Sequence, residues 1–92
     1  MITYHAYERA HERGGLKKEA AKVLIKEAIK YGKTADFFKS TRKEYLLQLE
    51  KDGGNSCEAV YHKSFVFIIT PGNACKTVFK APEWFMYDLK IP

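Results

Sequence analysis

The chain has 92 residues, 46% of them hydrophobic and 29% charged, which is enough for one small domain with one modest core and excludes a second. No apolar run approaches the length of a membrane span, and Met1-Ile2-Thr3-Tyr4-His5 has neither a basic nor an apolar leader region, so an intracellular, cytoplasmic protein is expected. The net charge of +5 is uneven: residues 1–43 hold eleven Lys or Arg against five Asp or Glu, residues 44–92 five against six, an asymmetry that favours a polyanionic partner, nucleic acid first.

Residues from about Thr3 to Arg13 predict a short helix, with Thr3 as N-cap and Gly14-Gly15 as its stop. Tyr4, Tyr7 and Ala10 give it a narrow apolar stripe. On the adjacent stripe His5, Arg9 and Arg13 recur at i, i+4 and i+8, which sets an imidazole and two guanidiniums in one row. Glu8 and Glu12 stand beside them, so the row reads either as a phosphate-binding surface or as a salt-bridged helix face. A second helix is expected from Leu16 or Lys17 to Tyr31. Ala20, Val23, Leu24, Ala28 and Tyr31 should face the sheet, Lys18, Lys22, Lys26 and Lys30 should lie outside, and Gly32 should close it as a C′ glycine. Thr34 can cap a third short helix, Ala35 to about Lys39, anchored by Phe37 and Phe38.

From Arg42 onward Tyr45, Leu47 and Leu49 alternate with Leu46, Gln48 and Glu50, which predicts a strand with one buried face, followed by a polar loop at 51–56. Cys57 to Lys63, Ser64 to Thr70 and Ala74 to Lys80 then predict three further strands, the last two joined by the turn Pro71-Gly72-Asn73. Phe65-Val66-Phe67-Ile68-Ile69 is apolar throughout, as suits a central strand covered on both faces. Pro82 ends the pairing, and Glu83 to Tyr87 form an aromatic tail that covers the core or, through Trp84 and Phe85, a partner. The architecture expected is a single α+β domain spanning 1–92, two or three N-terminal helices packed on a four-stranded antiparallel meander.

Cys57 and Cys75 fall on the two strands flanking the central one, too far apart for a disulfide, and read as structural thiols. The sequence has no glycine-rich phosphate loop, no cysteine pairs at zinc spacing and no carboxylate cluster suited to magnesium. What remains is a cofactor-free and metal-free site built from His, Arg, Lys, Tyr and Thr.

The motif His5-Ala-x-x-Arg9-x-x-x-Arg13-Gly at the start, Lys76-Thr77-Val78-Phe79 in the last strand, and the order of helices before antiparallel strands resemble the barnase and RelE-like ribonuclease-toxin superfamily. In particular the chain looks like the short phage- and plasmid-associated domains of uncharacterised function within it. The resemblance implies a metal-independent endoribonuclease acting on RNA, with His5, Arg9, Arg13 and Thr77 as catalytic residues and an antitoxin as protein partner. Tyr61 and His62 would face the same cleft by position, and Tyr45 and Arg42 join them as substrate contacts. In such a site His5 would move a proton, the arginines would hold the phosphate, Thr77 would donate a hydrogen bond, and Tyr61 or Tyr45 would stack on an unpaired base. Tyr61 and Thr77 read equally well as ordinary strand residues. The alternative is a non-catalytic nucleic-acid- or protein-binding module, such as a phage-encoded inhibitor of a host protein.

Overall fold

The computed structural model describes residues 4–54 and 56–90. The expected Thr3 cap, the reading of Met1 to Thr3 as leaderless, and Asn55 of the polar loop lie outside them. The elements run α1 (Tyr4–Gly14), α2 (Lys18–Tyr31), a 3₁₀ turn (Ala35–Phe37), α3 (Ser40–Gly53), β1 (Glu58–His62), β2 (Phe65–Ile69), β3 (Cys75–Lys80) and α4 (Glu83–Met86). The chain is therefore α+β, with a three-stranded antiparallel meander in the order β1-β2-β3. Every residue of β2 is buried, because helices cover both faces of the sheet.

The two faces sort by the strand's two-residue period. Val60, Phe65, Phe67, Ile69 and Val78 meet Ala6, Ala10, Ala21, Ile25 and Ala28 of α1 and α2. Ala59, Tyr61, Val66 and Ile68 point the other way, into Phe38, Leu46 and Phe85. Small residues at i, i+4 and i+8 of α1, namely Ala6, Ala10 and Gly14, let that helix lie close on the sheet. A Cβ on Gly14 would run into the Phe65 ring. Of the expected stripe Ala10 is buried and Tyr7 packs partly buried against the core, but Tyr4 is 77% exposed and Ala6 takes its place. On α2, likewise, Ala21, Ile25 and Ala28 are buried while Ala20, Val23 and Tyr31 are exposed. Gly32 follows in extended rather than left-handed backbone. Its missing side chain matters for space, since a Cβ there would strike Val60 and the Ala28 carbonyl.

The fourth, N-terminal strand is absent: residues 40–53 are helix α3. Leu46 is its fully buried residue, whereas Leu47 is exposed. Arg42, Lys43, Tyr45, Leu46, Leu49, Glu50 and Gly53 are wholly or partly covered, and Arg42, Tyr45, Leu46, Leu49, Glu50 and Gly53 among them repeat at the spacing of 3 and 4 that belongs to a helix. Glu44 to Lys51 contains only strong helix formers apart from Tyr45, and no β-branched residue. The third short helix is a single 3₁₀ turn. Phe85 on α4 is fully buried and Trp84 half exposed, so the aromatic tail closes the core. No helix among the described residues is long and apolar enough to cross a membrane.

Candidate functional site

Helix α1 runs along β3, the edge strand, and this brings the two ends of the sequence together. His5 of α1, Lys76, Thr77 and Phe79 of β3, and Asp52 and Gly53 at the end of α3 line a pocket of about 250 Å³ floored by Ile68. Two expected catalytic residues, His5 and Thr77, thus share one cavity.

The arginines of the row diverge in role. Arg9 Nε donates to His5 Nε2 at 3.3 Å, which makes that nitrogen an acceptor and puts the neutral ring's proton on Nδ1. The same guanidinium pairs with Glu12 at 2.6 Å. Arg13 instead donates to the Val78 carbonyl at 3.1 Å and lies 4.2 Å above the Phe79 ring. It fastens α1 to β3 by capping an edge-strand carbonyl.

Thr77 Oγ1 is buried and, among the described residues, has no hydrogen-bond partner. A buried hydroxyl left unpaired forfeits about 1–3 kcal/mol; the atom is closed to solvent, so a ligand acceptor would satisfy it once the pocket wall opens to it. Beside it lies a residue that sequence reasoning did not single out. Ile69 pairs with Cys75 and Ile68 with Thr77, so Lys76 is the extra residue of a β-bulge. Strand alternation alone would turn Lys76 away from Thr77, but a bulge re-aims side chains. Both therefore line the pocket, with Lys76 Nζ donating to the Gly53 carbonyl at 2.5 Å. Asp52, bonded by Gln48 at 3.2 Å, is the carboxylate of the same wall. Nothing in the local sequence marks the bulge.

The four expected substrate contacts lie elsewhere. Tyr61 is 4% exposed, tilted on Phe85 at 5.2 Å, with its hydroxyl accepting from the Ser64 N–H. His62 sits at the end of β1, the opposite edge of the sheet, its Nε2 donating to Glu27 Oε1 at 3.1 Å. Lys63 Nζ meets the same oxygen at 3.2 Å. Hydrogen bonds from His62 first and Lys63 second hold the Glu27 carboxyl below its ordinary range. Tyr45 is packed edge-on against Trp84 and close to Phe85, where burial raises its phenol. Arg42 donates to the Phe85 and Tyr87 carbonyls at 2.7 and 2.6 Å, tying α4 to α3.

Cys75 is fully buried and Cys57 partly so, and neither is in a disulfide. Burial pushes Cys75 up to about 12, which removes it as a nucleophile. Among the described residues no group of three or more His, Cys, Asp or Glu is placed to hold a metal ion. No protein-family model matches the chain, and no curated protein or solved structure matches it.

Proposed function

We propose that the pocket at β3 is the active site of a metal-independent ribonuclease of the barnase and RelE-like kind. The observation that carries this reading is the juxtaposition of His5 and Thr77, drawn from the first helix and the last strand, in one pocket whose threonine hydroxyl is unpaired. Intramolecular RNA cleavage needs a base for the 2′-hydroxyl and cations for the charge that builds on the phosphate oxygens. As Arg9 releases His5 Nε2 and turns its guanidinium to the phosphate, that nitrogen takes the 2′-hydroxyl proton while the 2′-oxygen bonds to phosphorus. The bond from phosphorus to the 5′-oxygen breaks, and the departing oxygen takes a proton from water in the open pocket. Arg9 and Lys76 supply positive charge, and Thr77 donates the hydrogen bond it lacks in the free protein. Arg13 holds α1 in place for this chemistry through β3 rather than by touching substrate.

Incubation of wild type and His5→Ala with a mixed single-stranded RNA pool in EDTA tests the proposal. Cleavage by wild type that His5→Ala loses is the expected result. Cleavage by neither, with both proteins folded, would remove catalysis and leave a binding module.

A further inference from the structure

The opposite edge of the sheet carries a second depression, and it is built differently. It is open, about 610 Å³, and lined by Glu27, Lys30, Tyr31, Lys33, His62 and Lys63. Three ammonium groups face one carboxylate. Lys63 and His62 already meet Glu27, but among the described residues Lys30 and Lys33 meet no carboxylate and rest instead over the rings of Tyr31 and Phe37, at 5.2 and 5.1 Å. Cations parked on aromatic faces can be recruited by an anion at little cost, since neither has an ion pair to give up.

The backbone fixes these groups in place. Lys33 exchanges both backbone hydrogen bonds with Tyr61, N–H to carbonyl at 2.9 Å and carbonyl from N–H at 2.8 Å, so its side chain starts from a pinned position beside β1. The turn from β1 to β2 places Lys63 and Ser64 at φ of 45° and 77°. A two-residue hairpin turn of this hand favours Asn-Gly. Putting a lysine there accepts backbone strain in exchange for an ammonium at the rim of the depression. His62, only 8% exposed, forms part of the wall, while Tyr31 offers a ring that is 60% exposed.

We infer that this depression is a second ligand site that takes a nucleotide unit, its phosphate held by Lys30, Lys33 and Lys63 and its base stacked on Tyr31. An exposed aromatic ring beside unpaired cations is the arrangement that recognises an unpaired base next to a phosphate. The unit can come from a free nucleotide or from a single-stranded RNA. The inference goes beyond the proposed cleavage and does not depend on it, because its groups lie on the other edge of the sheet from His5.

The test is a titration of ¹⁵N-labelled protein, wild type with adenosine monophosphate, and His5→Ala with a short single-stranded oligoribonucleotide so that the strand stays intact. Saturable shifts at Tyr31, Lys33, His62 and Lys63 are expected with at least one ligand. Saturation by the monophosphate assigns a small nucleotide, and saturation by the strand alone assigns RNA. Lys33→Glu should weaken the binding by about ten- to a hundredfold, and Tyr31→Ala should weaken it while leaving the fold intact. Lys63→Ala serves as the second variant should Lys33→Glu disturb the bridge to Tyr61. No shift at this edge with either ligand, or shifts that only an acidic peptide produces, would overturn the inference. Cleavage by wild type together with a silent β1 edge would overturn this site and leave the first standing.

Discussion

Exchanging Leu46 and Leu47 for alanine, one at a time, tests the helix that replaces the expected first strand. Leu46 is fully buried in the cluster that includes Ala59, Tyr61, Val66, Ile68 and Phe85, whereas Leu47 is 40% exposed. Truncating a buried leucine removes its transfer free energy and leaves a cavity, a cost of about 3 kcal/mol. For a domain of this size that lowers Tm by roughly 12–24 °C. Leu47→Ala gives up little buried surface and gains helix propensity, so its change should stay within about 0.5 kcal/mol. In a strand with Tyr45, Leu47 and Leu49 on the inner face the order would reverse. Paired thermal and urea melts decide the matter: a Leu47→Ala loss equal to or larger than that of Leu46→Ala would refute the helical packing.

Thr77→Val keeps shape and removes an unpaired buried hydroxyl, so the protein should melt at or slightly above the wild-type temperature while RNA cleavage falls; a loss above about 2 kcal/mol would mean the hydroxyl is bonded in the native state. Glu27 has its folded-state carboxyl below the ordinary 4.5, so the unfolded chain takes up the proton first and the stabilisation is complete above that value. It is lost as pH falls through the folded value. Melts of wild type and Glu27→Gln should therefore differ at neutral pH and converge in acid; a gap that is constant with pH would contradict the His62 and Lys63 contacts. With Cys75 buried and shifted to about 12, a thiol reagent should modify Cys57 in the native protein and reach Cys75 only after denaturant is added, as counted by absorbance or mass.

Much of this architecture can be read directly from side chains. The five apolar residues Phe65 to Ile69 leave no face for water, and that alone makes β2 central. His5 and Arg9 stand out by type and spacing, whereas Thr77 is picked out by the family resemblance alone and reads equally well as an ordinary strand threonine. Tyr45, Leu46, Leu47 and Leu49, in contrast, satisfy an alternating pattern and a helical one together; the helix-forming composition of 44–51 leans one way, and the packing of Leu46 against the sheet decides it. The small stripe Ala6, Ala10, Gly14 was the available signal that α1 would lie close on the sheet, but not which edge it would follow. That choice joins His5 to Thr77 and separates it from His62. Lys76 was hidden for another reason: a bulge is a relation between two strands, and no local pattern in 74–80 encodes it.

Cleavage of two matched oligonucleotides, one all-ribose and one with every sugar 2′-deoxy, tests the central claim most directly. If His5 removes the 2′-hydroxyl proton, the ribose strand should be cut in EDTA to products ending in a 2′,3′-cyclic phosphate while the deoxy strand stays whole, and His5→Ala should leave both intact. Equal cutting of the two strands, or no cutting of either by folded wild-type protein, would contradict it.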